Sequence, residues 1–437
     1  MGLIYSLPYT GEYSPKLPII GLGKYKVSCS DLMIDGGNDS IKINDEGKKE
    51  IDKKLGTFVR LYYPNKINDF VSDGKENSDK EKKKYPLWVP RTEYFTGLAD
   101  YQEMSRIKLR TMMNMVVGQR RIPATWQEKL IEGEDNNISD KFPVIIFSHG
   151  LSGCRHFYTV VCTALASYGY IVAALEHRDL TSCWTYKLSY DNDCKHKIET
   201  SIPMRMVVSE YKDIKLRGKQ VMTRVKEYED LFNVLEQLNI GALGTSQSRV
   251  LLGDEFDWGQ FTNKLDLSNT FLVGHSFGAT SAIAALGKTD LFKAAVCLDA
   301  WMDPIKVNML HNIDKPCLFF NIESFQFPEN VKRILVVNKD GNKRNGFMYT
   351  FKDAVHQSFS DFSFIHPGYI GKAAGLQGSV DPLHIGEVTM EMIHSYFQKL
   401  IIDEDAKESL EDIRKRYDFI VNGTTLEVNN CELVEKL

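Results

Sequence analysis

The fold of this chain can be read outward from TFLVGHSFGATSAIAAL (residues 270–286). A short apolar run, typical of a buried strand, leads directly into an alanine-rich segment that is typical of a helix. Between them, G-x-S-x-G predicts a sharp turn in which Gly274 and Gly278 leave free the space that a Cβ would occupy. Such a turn lifts the hydroxyl of Ser276 above the end of the strand, so we expect Ser276 to be a nucleophile.

Further apolar runs flank this stretch along the chain. They occupy residues 142–148, 170–175, 294–298 and 316–320 and are separated by segments long enough for helices. Short continuous apolar runs that alternate with helical segments indicate buried parallel strands with crossover connections. The pattern therefore predicts an α/β fold with a mostly parallel, doubly wound sheet flanked by helices.

The rest of the chain is divided by composition. We expect an N-terminal extension over residues 1–54, a catalytic domain over 55–400 and a charged C-terminal tail over 401–437. Within the catalytic domain, 72–84 is a charged loop and 181–220 is a polar insertion of the kind that often rims a site.

Composition excludes several classes of protein. The 437 residues are 43% hydrophobic with a formal net charge of −4, which excludes a disordered chain and argues against a nucleic-acid partner. The eight cysteines form no C-x-x-C pair and are expected to be reduced and mostly buried. Because the histidines and cysteines lack ligand spacing, we expect no metal and no cofactor. We expect the protein to be a monomer.

A serine nucleophile needs a base and a carboxylate that orients it, in the chain order Ser, acid, His. The first acid at a strand end after Ser276 is Asp299, whereas its neighbour Asp303 lies beside a proline and is expected to cap a turn. His356 follows the strand-like segment 347–351 and is the expected base. Other downstream histidines, which lie in helix-like or polar surroundings and are expected to be structural, are His311, His384 and His394.

The tetrahedral intermediate of such a reaction needs hydrogen-bond donors for its oxyanion. One is expected from the backbone N–H of Phe277, the residue after the nucleophile. The second is expected from Leu151, because the preceding His149-Gly150 allows a tight turn after the strand 142–148.

At these residues the chain resembles the platelet-activating-factor acetylhydrolase family of lipases, in particular its intracellular type II branch. The matching stretches are PLWVPRTEYFTGLADY (86–101), IPATW (122–126), PVIIFSHGLSG (143–153), EHRD (176–179), VGHSFGATSAI (273–283), LDAWMDP (298–304), VHQSFSDFSF (355–364) and GSVDP (378–382). One departure is Ala279, where the family has a second glycine after the turn.

The resemblance implies an α/β-hydrolase with Ser276, Asp299 and His356 as its triad and Leu151 and Phe277 as its oxyanion donors. It also implies calcium-independent hydrolysis of the sn-2 ester of phospholipids that carry acetyl, short or oxidised acyl chains. Two alternatives stay open. A general carboxylesterase or lipase would share the triad but differ in its pocket, and a non-catalytic relative would bind a lipid or a partner without turnover.

Several features predict contact with a membrane surface. The start Met1-Gly2-Leu3-Ile4-Tyr5-Ser6 fits the N-myristoylation pattern, which the resemblance also implies for Gly2, and it does not fit a secretory signal. One acyl chain binds a membrane only marginally, so a second contact is needed. The expected location is therefore cytoplasmic and peripheral to a membrane.

An apolar stripe in residues 106–117 is the first candidate for that contact, next to several basic residues. It lies on an amphipathic helix at the lipid surface, or else packs on the core. The second candidate is an apolar segment shortly after His356. The residues of the two segments are Ile107, Leu109, Met112, Met113, Val116 and Val117, and then Phe364, Ile365, Tyr369 and Ile370.

Overall fold

Strands and helices alternate along most of the chain. The computed structural model describes residues 16–21, 23–36, 40–43, 49–52, 55–67, 84–116, 119–132, 141–191, 196–205, 214–244, 249–338, 345–366 and 368–426. The strands are β1 (Tyr25–Ile34), β2 (Ser40–Ile43), β3 (Lys49–Asp52), β4 (Thr57–Ile67), β5 (Thr125–Trp126), β6 (Phe142–Ser148), β7 (Ile171–Leu175), β8 (Trp184–Tyr190), β9 (Lys197–Pro203), β10 (Val250–Leu252), β11 (Leu265–His275), β12 (Ala294–Leu298), β13 (Cys317–Ile322), β14 (Phe347–Phe351) and β15 (Ile420–Asn422). The helices are α1 (Thr92–Tyr101), α2 (Arg106–Val116), α3 (Thr159–Ser167), α4 (Ile214–Asn239), α5 (Phe277–Leu286), α6 (Val307–Leu310), α7 (Pro328–Val337), α8 (Gly368–Ala373), α9 (Pro382–Ile401) and α10 (Lys407–Arg414).

Eleven of these strands form one mixed sheet. Their order is β10-β1-β4-β7-β6-β11-β12-β13-β14-β15, with β5 beside β1. The six strands from β7 to β14 in this order are parallel to one another, while β4 and β15 pair antiparallel at the two sides of this block. The mostly parallel sheet predicted from the apolar runs is therefore confirmed.

Helices cover both faces of the sheet, which explains why the parallel strands are apolar throughout. In β6, Ile145 and Phe147 belong to the core that also contains residues of α3 and α9. Their neighbours Val144 and Ile146 point to the other face and belong to the core formed with α4 and α5. Because successive side chains of a strand point to opposite faces, a strand that is buried on both faces has no polar alternation.

The register of the parallel strands aligns their carboxyl ends. Gly274 of β11 lies opposite Ser148 of β6 on one side and Cys297 of β12 on the other. Next along the sheet, Leu298 lies opposite Phe320 of β13. The residues that directly follow β6, β11 and β12 are thus brought to one edge of the sheet, where ligands bind in folds of this kind.

The predicted boundaries at residues 54/55 and 400/401 do not coincide with the edges of this sheet. Strand β1, from the predicted N-terminal extension, lies between β10 and β4, and β15, from the predicted tail, pairs with β14. The buried polar residues of β1 conceal the strand pattern. Asp31, for example, is buried because it pairs with Arg60 at 2.7 Å and Arg155 at 3.2 Å. The predicted charged loop 72–84 lies outside the described residues, except for Lys84.

The predicted insertion 181–220 contains the hairpin of β8 and β9 and the start of α4. The hairpin packs against α1, where a Cβ on Gly97 would lie 1.9 Å from the carbonyl oxygen of Cys183. Arg91 pairs with Glu199 at 2.7 Å and lies over the ring of Trp184. This hairpin therefore packs on the outside of the domain against α1. None of its described residues lines the cavity at the carboxyl ends of the parallel strands.

Candidate active site

Ser276 lies on a strained turn between β11 and α5. Its backbone has φ 55° and ψ −118°, a conformation that non-glycine residues rarely adopt. The turn requires two glycines, because a Cβ on Gly274 would lie 2.4 Å from the carbonyl carbon of Gly278, and one on Gly278 would lie 2.2 Å from the carbonyl oxygen of Ser148. Ser276 is also the N-cap of α5, yet its side chain makes no capping hydrogen bond. The hydroxyl is thus not engaged by the helix that follows it.

Asp299 and His356 form a hydrogen-bonded pair beside this turn. The Nδ1 of His356 lies 2.5 Å from Oδ2 of Asp299. The backbone N–H of Ile322 donates to the other carboxylate oxygen at 2.9 Å. Burial raises the pKa of Asp299, whereas its hydrogen bond with His356 acts in the opposite direction. The carboxylate is therefore held in one orientation and presents an acceptor to Nδ1, which leaves Nε2 of the imidazole available as a base.

The alternatives considered from the sequence lie elsewhere. Asp303 accepts a hydrogen bond from Trp301 at 3.2 Å and lies 3.8 Å from Arg333. His394 stacks on Tyr168 at a centroid distance of 4.3 Å. The remaining downstream histidines are exposed or half-buried at the ends of other elements, and they are His311, His366 and His384.

A cavity of about 460 Å³ opens beside this pair. Ser276 and His356 both line it, and so does Leu151 from the loop after β6. Much of the remaining wall is aromatic or aliphatic, and its members include Leu98, Tyr101, Phe157, Trp301, Phe325, Phe327, Phe362 and Leu376. An apolar cavity with a few convergent polar groups is the usual form of a small-molecule site.

The two predicted oxyanion donors belong to chain segments next to Ser276. Phe277 is the first residue of α5, and the first N–H groups of a helix have no partner within the helix. Gly150, directly before Leu151, packs so closely that a Cβ on it would lie 3.4 Å from Cβ of Ser276. The chain after β6 therefore passes the nucleophile at van der Waals distance, with the amide of Leu151 next in line.

A buried polar network behind the Leu151 loop has no counterpart in the sequence-based expectations. Arg224 of α4 donates to the carbonyl oxygen of His149 at 2.6 Å and pairs with Asp179 at 3.1 Å. Nearby, His177 lies 2.7 Å from the hydroxyl of Ser148 and 2.6 Å from Glu227. The charged residues of EHRD (176–179), next to an apolar strand, were the available signal, but their partners on α4, Arg224 and Glu227, lie about 45 to 50 residues further along the chain.

The predicted membrane contacts divide into exposed and buried residues. On α2, Ile107 is 80% exposed and Met112 is 41% exposed, whereas Leu109 and Met113 belong to the core. The prediction that Leu109 and Met113 contact a membrane is therefore wrong, because these side chains pack against the domain. After His356, Tyr369 is 58% exposed and Ile370 is half-buried.

Ile365 is also buried, so its predicted membrane contact is wrong for the same reason, while Phe364 is half-buried against the core. Gly2, Val117 and the side chain of Val116 lie outside the described residues. In the described part of the chain, no helix has the length and apolar character that crossing a bilayer requires.

The described histidine, cysteine and carboxylate side chains form no group of three that would hold a metal ion. The described cysteines form no disulfide and all are buried, and they are Cys29, Cys154, Cys162, Cys183, Cys297 and Cys317. Burial raises the pKa of the Cys297 and Cys317 thiols. These thiols therefore behave as small apolar groups.

The sheet order and the serine turn place this chain in the α/β-hydrolase class. Its structure is similar to that of a ferulic acid esterase from Streptomyces cinnamoneus, with a TM-score of 0.55 and 17% sequence identity over 88% of this chain and 93% of that one. The family described as platelet-activating factor acetylhydrolase, isoform II, matches residues 11–415. The chain belongs to this family.

Named relatives agree with that assignment. The platelet-activating factor acetylhydrolase of Canis lupus familiaris is 31% identical over 94% of this chain and 83% of its own length. The protein of the same name from Bos taurus is 32% identical over 83% of this chain and 72% of its own length. The resemblance first seen in short motifs is thus confirmed over most of the chain.

Proposed function

We propose that this protein is a serine esterase that cleaves the sn-2 acetyl, short or oxidised acyl ester of platelet-activating factor and related phospholipids. The observation that carries the proposal is the cavity that Ser276 and His356 both line, with Nδ1 of His356 held 2.5 Å from the carboxylate of Asp299. Family membership supports the substrate class. The aromatic and aliphatic lining of the cavity suits the acyl and glycerol parts of such a lipid.

The proposed acylation step uses these groups in turn. His356 takes the hydroxyl proton of Ser276 through Nε2 while Oγ attacks the carbonyl carbon of the sn-2 ester. The backbone N–H groups of Leu151 and Phe277 donate to the resulting oxyanion. When the intermediate collapses, the bond from the carbonyl carbon to the glycerol oxygen breaks. That oxygen receives the proton from His356, and the lysophospholipid leaves.

Deacylation repeats these steps with water. His356 removes a proton from a water molecule, whose oxygen attacks the acyl carbon bound to Ser276. The second tetrahedral intermediate expels Oγ, which takes back the proton, and the short acid is released. Throughout both steps, Asp299 accepts the hydrogen bond from Nδ1 and stabilises the imidazolium form of His356. The reaction needs no group beyond these side chains, two amides and water.

Replacement of the nucleophile tests the proposal. We expect Ser276→Ala to abolish turnover of an sn-2 acetyl phosphatidylcholine analogue, measured by release of acetate. The matched control is Ser167→Ala, a buried serine in α3 whose hydroxyl donates to the carbonyl oxygen of Ala164 at 2.6 Å. More than a few per cent of wild-type activity in Ser276→Ala would refute the assignment.

A substrate series separates the proposal from its alternatives. We expect turnover to fall steeply as the sn-2 chain lengthens from acetyl to palmitoyl, whereas a general lipase would keep or increase its rate. A non-catalytic relative would show no turnover and no labelling of Ser276 by a fluorophosphonate. Measurements on dispersed substrate and on vesicles keep lipid access apart from chemistry.

We further infer peripheral contact with a membrane through the exposed apolar residues of α2 and α8. Ile107, Met112 and Tyr369 project apolar side chains into solvent. On α2, Lys108 and Arg110 are also exposed, which favours anionic surfaces. Acylation at Gly2, a cytoplasmic location and a monomeric state stay predictions.

Vesicle binding tests this contact. We expect Ile107→Ser to weaken binding to vesicles that contain phosphatidylserine by roughly tenfold, because one large apolar side chain no longer enters the lipid. The control is Ile198→Ser, because Ile198 is an apolar residue of the β8–β9 hairpin and is 49% exposed. Equal binding of both variants, measured by co-sedimentation, would contradict the assignment.

A further inference from the structure

A chain of hydrogen bonds connects the loop after β6 to the loop that carries His356. The backbone N–H of Gly150 donates to the hydroxyl of Tyr158 at 3.1 Å. That hydroxyl lies 2.9 Å from Nδ1 of His275. On the other side of the ring, Nε2 of His275 lies 3.0 Å from the carbonyl oxygen of His356.

The chemistry of the groups decides the direction of each bond. An amide N–H only donates, so the oxygen of Tyr158 accepts from Gly150, and the Tyr158 hydroxyl donates its own proton to Nδ1 of His275 when that nitrogen is unprotonated. A carbonyl oxygen only accepts, so Nε2 of His275 must carry a proton and donate it to His356. One neutral tautomer of His275 satisfies every bond. Burial lowers the pKa of His275 well below its usual value, and the nearby His356 contributes in the same direction.

We call this chain of hydrogen bonds, from Gly150 through Tyr158 and His275 to His356, the relay. The position of His275 places the relay beside the nucleophile. His275 directly precedes Ser276 and is buried at the end of β11, and Tyr158 is buried directly before α3. The ring of His275 lies 4.5 Å from that of His356, with an angle of 38° between their planes. One end of the relay thus holds Gly150, the residue before Leu151, and the other end holds the backbone of His356. Between them, His275 is joined by a peptide bond to Ser276.

We propose that Tyr158 and His275 are positioning residues that fix the predicted oxyanion loop and the His356 loop relative to Ser276. The proposal rests on the proposed function, because it assigns a role in that reaction. Neither side chain takes part in a covalent step. His275 acts through the backbone of His356, and Tyr158 acts through the backbone of Gly150.

The expected consequence is a loss of catalysis rather than of binding. Without the relay, the base and the Leu151 amide are each held by fewer contacts, and small displacements reduce stabilisation of the transition state more than that of the bound substrate. We expect Tyr158→Phe and His275→Phe to lower kcat by roughly tenfold to a hundredfold, with KM changed less than threefold.

A double-mutant cycle on kcat distinguishes a relay from two independent structural roles. His275→Phe keeps a ring in place but removes both of its hydrogen bonds, so adding Tyr158→Phe is expected to cause a smaller loss than Tyr158→Phe causes in the wild-type protein. Independent roles would give losses that multiply, and that result would overturn the proposal. His275→Gln supplies an amide donor for the carbonyl oxygen of His356 and is expected to keep more activity than His275→Phe.

Controls separate this proposal from loss of folding and from failure of the proposed function. Tyr170→Phe removes a buried hydroxyl that lies 3.2 Å from His394, remote from the relay, and is expected to keep wild-type kcat. Thermal unfolding of each variant gives the folded fraction, to which kcat is referred. If both relay variants keep kcat within twofold of wild type while Ser276→Ala is inactive, the relay is refuted and the esterase stands. If Ser276→Ala is active, the esterase itself is refuted.

Discussion

The buried ion pair between Arg224 and Asp179 supplies the sharpest prediction about stability. Both side chains are fully buried, and Nε of Arg224 lies 3.1 Å from Oδ2 of Asp179. Arg224 also donates to the carbonyl oxygen of His149 at 2.6 Å and to the hydroxyl of Thr181 at 2.5 Å. Its guanidinium group lies 4.7 Å from the ring centroid of Phe277. One side chain thus joins α4 to the loop after β6 and to the start of α5.

Replacing Arg224 with methionine keeps much of the side-chain volume but removes the charge and its donors. The carboxylate of Asp179 then stays buried without its counter-charge, and breaking a buried pair in this way costs about 3–5 kcal/mol of unfolding free energy. We also expect kcat to fall by roughly tenfold or more, because the carbonyl of His149 loses the bond that holds the loop leading to Leu151.

The assay is urea unfolding followed by tryptophan fluorescence, with the slope checked against wild type. Lys226→Met is the matched control on the same helix, because Lys226 is 67% exposed and its pair with Asp230 lies at the surface. We expect that control to cost less than about 1 kcal/mol. Arg224→Met combined with Asp179→Leu should recover part of the loss, since no buried charge is left unpaired. A cost for Arg224→Met within about 1 kcal/mol of the control would refute the reasoning.

Two further predictions concern packing and pH. Gly278→Ala would place a Cβ 2.2 Å from the carbonyl oxygen of Ser148, so we expect a loss of about 3 kcal/mol in urea unfolding. In Gly287→Ala the nearest atom is a flexible side-chain carbon at 3.2 Å, so a similar loss in both variants would contradict this account. Burial lowers the pKa of His394 from 6.5 to about 4, so the unfolded chain takes up this proton first and acidification through that range weakens the fold. The weakening amounts to at most about 3 kcal/mol. His394→Phe, which keeps a ring against Tyr168, should lose less unfolding free energy than wild type between about pH 7.5 and pH 4.5, and an equal loss would count against the argument.

The strongest local patterns were sufficient to predict the centre of the fold. Apolar runs at residues 142–148, 270–273 and 294–298 correspond to parallel strands in the structure. They were predicted correctly because each run is uniformly apolar, as in a strand buried on both faces, and too short for a typical helix. The G-x-S-x-G turn was equally readable, since its glycines are required by backbone contacts within a few residues and with the adjacent strand.

The sequence did not predict strand β1, nor which apolar residues of α2 are buried and which are exposed. Buried polar residues of β1, such as Asp31, are stable there because Arg60 and Arg155 pair with them from other strands and loops. Likewise, helical spacing alone does not show which part of an apolar stripe faces the core. The structure buries Leu109 and exposes Ile107 only two positions away.

By itself, then, the sequence determined the class of fold, the strained serine turn and the order of acid and base along the chain. These depend on apolar runs and glycines whose partners are adjacent strands. Only the tertiary structure decided that Asp299, rather than Asp303, meets His356, and that Tyr158, His275 and Arg224 support the same site. The physical reason is that a buried polar side chain is stable only with its partners. Those partners come from elements that are distant in sequence and are brought together by the register of the sheet.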